Sequence, residues 1–248
     1  MISTNKIKQI KSLHQKKFRQ QSKQFVVEGF KVVGDVVNSN YIIDNIYVTS
    51  DFKETINFDT TLISTKEMQR ISGLKTPNNI LAVVDFTKQK SKNISDNELI
   101  LCLDNIQDPG NFGTIIRSAN WFGIKTIVCS PDTVELYNQK VLQSTMGAFV
   151  ETQIIYTNLV EFLENFKGNI YGTFLEGENI YKQKLQQVGC IVMGNEGKGI
   201  SKEISKFITH KLYIPSTGKV KAESLNVSTA TAVILSEFRR NKSRVLNY

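Results

Sequence analysis

Histidine, cysteine and long apolar runs are scarce in this 248-residue chain, and each scarcity removes a class of chemistry. His14 and His210 are the only histidines and stand in no metal-ligand spacing, so no metal site and no serine-type triad is expected. The three cysteines, Cys102, Cys129 and Cys190, each lie beside an apolar run and lack CxxC spacing; they read as small buried hydrophobes in a reducing compartment, neither a disulfide framework nor a zinc site. No window approaches the roughly 18 to 20 apolar residues of a membrane span, and the N-terminus is too charged for a signal peptide. A soluble, cytoplasmic protein is expected.

Acid is locally scarce as well. Residues 1–31 carry eight Lys/Arg (Lys6, Lys8, Lys11, Lys16, Lys17, Arg19, Lys23, Lys31) against Glu28 alone, which is +7 of the chain's formal +8. Charge so concentrated points to a polyanionic partner, with a merely solvated helix face as the plain alternative.

The length and the 40% apolar content suit two domains. From Thr4 to about Gln20, Ile7, Ile10, Leu13 and Phe18 recur at near-helical spacing among lysines, which predicts one basic amphipathic helix. FVVEG (25–29), IIDNIYVTS (42–50), TLIS (61–64) and ILAVVDF (80–86) read as strands, and the stretches 30–38 and 66–72 as helices, giving a compact α/β sandwich over 1–86. The polar stretch 87–97 reads as a tether. In 98–248, six short β-branched runs alternate with helix-like stretches, as in a parallel sheet covered by helices. Ligands of such sheets bind at the loops leaving the carboxyl ends of strands.

Three segments occupy that kind of place: DNIQDPGNFGTIIRSANWFG (104–123), IVMGNEGKGIS (191–201) and LYIPSTGKVKAESLNVSTATAVILSEF (212–238). GNEGKG invites a phosphate-loop reading, but Lys198 is followed by Gly199 and the glycines fall at 194, 197 and 199, so both the Walker and the dinucleotide patterns fail. DPGN reads as a turn, with a helix from about Gly113 that carries Arg117. A glycine at 194 lets backbone approach a ligand closely. Ser224, Asn226 and Ser228 precede the apolar ATAVILSEF and suit either helix capping or ligand contact.

Taken together, DPGNFGTIIRSANWFG, MGNEGKGIS and ESLNVSTATAVILSEF resemble, in order, the three signature motifs of the SpoU/TrmH branch of the SPOUT superfamily, S-adenosylmethionine-dependent RNA ribose 2′-O-methyltransferases. FVVEGFKVVGDVV resembles, more weakly, the ribosomal-protein-like domain that precedes the catalytic domain in ribosomal RNA members. The resemblance implies a trefoil-knotted parallel-sheet domain, a homodimer formed through it, and 23S ribosomal RNA as first substrate. Transfer RNA, a non-catalytic ribosome-assembly role and base methylation are the competing readings.

By the same resemblance, Gly194, Ile214, Leu225 and Asn226 would hold the cofactor, and Arg117, Asn111, Glu196, Ser224 and Asn226 would serve catalysis. The family's arginine is proposed to activate the ribose hydroxyl. Bringing a guanidinium from above 12 to neutrality would cost about 7 kcal/mol; gripping the adjacent phosphate while lowering the hydroxyl's pKa asks less of the protein. Glu196 suits a supporting role, orienting Arg117 or accepting from backbone N–H groups. The loop from Pro215 to Ser224 is longer by about two residues than the family resemblance leads one to expect (loop lengths vary), and its Lys219 and Lys221 are candidates for RNA contact. RNA capture is expected from Lys6, Lys8, Lys11, Lys16, Lys17, Arg19 and Lys23, with Arg239, Arg240, Lys242 and Arg244 near the carboxyl end.

Overall fold

The computed structural model of the chain describes residues 2–86, 94, 97–218 and 224–240. Apart from Ile94 and Asn97, the expected tether lies outside the described residues, as do Lys219, Lys221, Lys242 and Arg244. In chain order the elements are α1 (Thr4–Ser12), α2 (Lys16–Ser22), β1 (Gln24–Glu28), α3 (Phe30–Val37), β2 (Ile43–Val48), β3 (Thr60–Leu62), α4 (Thr65–Ile71), β4 (Ile80–Asp85), β5 (Leu99–Leu103), α5 (Pro109–Trp121), β6 (Thr126–Cys129), α6 (Gln139–Thr145), β7 (Gln153–Tyr156), α7 (Leu159–Glu164), β8 (Ile170–Asn179), β9 (Gly189–Met193), α8 (Lys202–Ser205), β10 (His210–Tyr213) and α9 (Val227–Arg239). Two compact units result: Met1–Ser91 with Glu135–Glu151, and Lys92–Val134 with Thr152–Tyr248.

The first unit is built on a four-stranded sheet of order β1-β4-β2-β3, antiparallel except for the β2–β3 pair. Period-two alternation sends Val26, Tyr47, Leu81 and Val83 to one face, where they join Ile7, Ile10 and Leu13, Ile63, and Met68 and Ile71 of α4 in one buried cluster. The single helix expected over 4–20 is two. α1 ends at its C-cap Leu13, and Gln15 takes extended backbone before α2 starts. Long-range contacts accompany the break: His14 Nε2 meets the Ile71 carbonyl at 2.8 Å, and Arg19 turns inward to meet Glu135, donating also to the nearby Leu13 carbonyl at 2.9 Å.

Glu135–Glu151 belongs to this unit although the sequence reading placed it in the second domain. Tyr137 stacks on Phe25 and on Phe86, with centroids 4.3 Å apart in both pairs, and Phe149 meets Phe25 edge-on at 6.3 Å. Gln139 Nε2 donates to Glu28 Oε1 at 2.9 Å. Arg19, expected to contact RNA, is instead 4% exposed and forms a two-pronged pair with the Glu135 carboxylate, Nε to Oε1 at 3.2 Å and Nη2 to Oε2 at 3.0 Å. A cation with all of these partners inside the fold is not available to a polyanion. Lys6 is likewise engaged, 2.9 Å from Asp44 Oδ2.

The second unit carries a six-stranded sheet of order β10-β8-β9-β5-β6-β7 in which every pair is parallel. All six runs read from the sequence as strands are strands. Central β5 and β9 are buried along their whole length, as a parallel sheet covered on both faces requires. The three cysteines are free and buried within it, and burial pushes the Cys102 and Cys129 thiols well up, which suits inert packing. Arg239 is also not free: it donates to the Phe122 carbonyl at 3.0 Å and to Gln187 Oε1 at 2.8 Å, tying the end of α9 to the end of α5. Arg240, 57% exposed, pairs with Glu237.

Removing one partner of a nearly buried ion pair strands the other, at a cost of about 3–5 kcal/mol. Arg19→Ala is therefore expected to lower the urea midpoint of the first unit sharply, with Glu135→Ala in the same background recovering part of the loss. Equal midpoints for Arg19→Ala and wild type would show that the pair does not support the fold.

Candidate active site

Two of the three singled-out segments leave adjacent strands, β5 and β9, and the third leaves β10 at the sheet edge, with β8 between it and β9. α5 starts four residues earlier than the sequence suggests, at Pro109, because Asp108 is its N-cap, accepting from Asn111 N at 2.8 Å, and proline at the first helical position loses no intrahelical bond. Asn111 thus sits in the first turn of α5. After β9, residues 194–199 close into a tight loop: Asn195 and Gly199 exchange backbone hydrogen bonds of 3.0 and 2.9 Å, and Gly199 has a left-handed φ of +69°. Gly194 is required by the chain itself, since a Cβ there would fall inside the backbone of Gly199 and Ile200. The close approach it permits is by this loop.

Glu196, at the tip of that loop, points back to the start of α5. Its Oε1 accepts from Asp108 N (3.2 Å) and Asn111 Nδ2 (3.1 Å), and its Oε2 from Gln107 N (3.4 Å) and Asn195 Nδ2 (3.3 Å). Asn111 Oδ1 in turn accepts from Asn226 Nδ2 at 2.9 Å. Asn226 caps α9, its Oδ1 accepting from Ser228 N, Ser228 Oγ and Thr229 N. A continuous relay, Asn226 to Asn111 to Glu196, therefore joins all three segments. Its direction is forced at both ends: a carboxylate only accepts, and the Asn226 oxygen is held by the helix it caps.

Among the expected site residues, Asn111, Glu196 and Asn226 are brought together. Leu225 is next to Asn226 and half exposed at 50%, and Ile214 is half-buried just beyond β10. Ser224 is exposed, and the capping role open to it in the sequence belongs to Asn226. Arg117 does not join the relay. It lies six residues beyond Asn111, about 9 Å along the helix and about 120° around it. It is exposed and makes no hydrogen bond or ion pair among the described residues. Of the two supporting roles expected of Glu196, its oxygens take the second, accepting from backbone N–H groups of Gln107 and Asp108 as well as from the relay.

Two contributors escaped the sequence reading. Asn195 folds the glycine loop, its Oδ1 accepting from Gly197 N and Lys198 N at 3.0 Å and its Nδ2 reaching the Asn105 carbonyl at 2.8 Å. Those two amides are the ones a phosphate cradle would need, so the loop's own folding argues against that use. Asp104, 7% exposed at the end of β5, accepts from Ser201 N at 2.7 Å and anchors the far end of the loop. An asparagine between glycines signals a side-chain-closed turn, and an acid ending a buried strand signals an internal partner; both signals were present in the sequence.

The relay thus lies at the carboxyl ends of an all-parallel α/β sheet, the place where sheets of this class bind polar small molecules. Residues 98–236 match the SpoU rRNA Methylase family, and residues 4–82 match the MRM3-like substrate binding domain. The chain belongs to the SpoU rRNA methylase family. It is 29% identical over 242 residues to the Bacillus subtilis 23S rRNA (guanosine(2553)-2′-O)-methyltransferase RlmP, covering 94% of this chain and 96% of that one. A TrmH-family structure from Porphyromonas gingivalis superposes with a TM-score of 0.85 at 35% identity, over 97% of this chain and 99% of that one. The AdoMet-bound rRNA methyltransferase from Sinorhizobium meliloti does so with a TM-score of 0.84 at 25% identity, over 97% of each.

If the relay holds the loops, Glu196→Ala should speed amide hydrogen exchange at Gln107 and Asp108 by more than tenfold while leaving the strands protected. Exchange unchanged at those two amides would mean that the loops close without it.

Proposed function

We propose that this chain is an S-adenosylmethionine-dependent methyltransferase of the ribose 2′-hydroxyl in RNA, with 23S ribosomal RNA as its first substrate, acting in the cytoplasm as a homodimer formed through the second unit. The observation that carries the reading is the Asn226–Asn111–Glu196 relay: it joins the three segments, while Arg117 of the same helix as Asn111 has no side-chain partner among the described residues. RlmP, similar along nearly its whole length, supports the ribosomal substrate. The trefoil knot implied by the resemblance is part of the same reading, supported by the parallel order that sets β8 between β10 and β9. Trp121, 80% exposed one turn beyond Arg117 on α5, supports an interface on this unit.

The residues present fit the cofactor. The hydrogen bonds that close the glycine loop use the backbone of Asn195, Gly197, Lys198 and Gly199 and none from Gly194, Ile214 or Leu225, whose backbone groups would grip the adenine. When bound, the sulfonium makes its methyl group electrophilic, so the protein's task is to place a hydroxyl in line with it. Proximity of that kind supplies roughly 7–11 kcal/mol in favourable cases. Arg117 would grip the phosphate next to the reacting ribose and stabilise the oxygen as its proton leaves. Asn111 and Glu196 act on positions, holding the first turn of α5 and thereby the helix that carries Arg117. RNA capture falls to Lys8, Lys11, Lys16, Lys17 and Lys23, which are all exposed.

Arg117→Ala is expected to lower turnover at least a thousandfold while donor affinity by calorimetry stays within about threefold, since the arginine serves the RNA side. The product should be a linkage resistant to alkali. Near-normal turnover would remove Arg117 from the chemistry; failure to bind the donor at millimolar concentration would favour a non-catalytic RNA-binding role, and an alkali-labile product would favour base methylation.

A further inference from the structure

α1 and α4 lie side by side on one face of the first unit's sheet, sharing one buried cluster. They run in the same direction: Ile2 N donates to Glu67 Oε1 at one end (3.0 Å), and His14 Nε2 meets the Ile71 carbonyl at the other (2.8 Å). The side they leave to solvent is basic. Lys8 and Lys11 of α1, Lys66 and Arg70 of α4, and Lys16 and Lys17 at the start of α2 are exposed, and none of the six side chains makes a hydrogen bond or ion pair among the described residues. Glu67 is the only acid on α1 and α4, and it accepts from Ser64 N, Ser64 Oγ and Ile2 N.

The chemistry of the layer narrows its occupant. The large exposed apolar residues of this unit, Phe30, Ile42, Phe58, Leu62 and Met146, all lie outside α1, α2 and α4. A surface without them offers no exposed large apolar side chain to bury in a membrane and no exposed ring on which an unpaired base could stack, Phe18 of α2 being half-buried. Lys66 and Arg70 are one turn apart, as neighbours along a helix, and Lys8 and Lys11 nearly so; such rows match charges repeated along a strand. Double-helical RNA, recognised through shape and phosphates, fits on each count.

We propose that the outer side of the α1–α4 layer, with Lys66 and Arg70 contributing alongside the lysines of α1 and α2, is the surface on which the backbone of a double-helical RNA element rests. The identity of that RNA as ribosomal substrate rests on the methyltransferase reading; the surface itself does not. The test measures binding of unmodified 23S ribosomal RNA, transcribed in vitro, between 50 and 200 mM salt, for the full chain and for the double variant K66Q/R70Q. Losing two phosphate contacts should flatten the slope of log K against log salt by about 1.4–1.8, and raise KM for RNA with kcat at saturating RNA and the thermal melt unchanged. K53Q, an exposed lysine outside the layer whose Nζ bonds the Ser50 carbonyl, should leave the slope as it is. An unchanged slope in K66Q/R70Q, or an equal loss in K53Q, overturns the proposal. Wild-type chain that shows the slope but transfers no methyl group to this RNA would instead count against the methyltransferase reading and leave the surface standing.

Discussion

At the strand ends of the second unit, hydrogen bonds from two of the three segments converge on one acceptor. Glu196 takes hydrogen bonds from two backbone amides and two asparagine side chains, and through Asn111 its hold extends to the cap of α9. Charge-assisted bonds of this type are worth roughly twice a neutral one. More important than their strength is their direction. With a carboxylate at one end and a capping oxygen at the other, each asparagine amide has a single orientation that satisfies its neighbours. Asn111, Glu196 and Asn226, from distant parts of the chain, are thereby held by partners within the protein itself, and groups positioned in that way spend less binding energy on ordering.

The fold was legible where short-range patterning decides it. Each of the six runs of the second unit and the four of the first became a strand, because β-branched apolar runs bounded by turn residues have few other outcomes. What the sequence did not disclose was set by partners far away in the chain. Nothing local interrupts the helical spacing between Thr4 and Gln20; the break follows from Arg19 turning in to meet Glu135, 116 residues on. Nor does anything in YNQKVLQSTMGAFVE announce that it leaves the surrounding unit, since its apolar residues would suit either core. Tyr137 and Phe149 settle it by packing against Phe25. At the strand ends Asn111, Glu196 and Asn226 converge, whereas Arg117 does not join them, because it stands six residues beyond Asn111 and so on another side of α5.

Counting charges and placing them are different operations. The first 31 residues carry a net +7, yet Arg19 is buried and Lys6 is paired, while Lys66 and Arg70, in a segment with no unusual composition, stand exposed beside the lysines of α1. A basic run in sequence marks a candidate surface only after the hydrophobic period has assigned faces. Here Ile7 and Ile10 turn inward on α1 as Met68 and Ile71 do on α4, and the same burial that stabilises the sheet decides which cations remain available.

Arg117 stands out by contrast. Around it, Asp108 caps, Asn111 relays, Asp104 anchors and Asn195 folds its own loop, so the polar residues near the strand ends have internal work. An exposed arginine with no side-chain partner among the described residues contributes little to stability, and the phosphate-gripping role proposed for it calls for such a group: a salt bridge would have to be broken at each encounter, at a cost subtracted from substrate binding. Rigid support and an unengaged cation on the same helix are complementary parts of one arrangement. The relay fixes where α5 begins, Phe112, Ile115, Ile116 and Ala119 fix how it is rotated by burying one side, and those two constraints together fix the backbone position from which the Arg117 side chain extends.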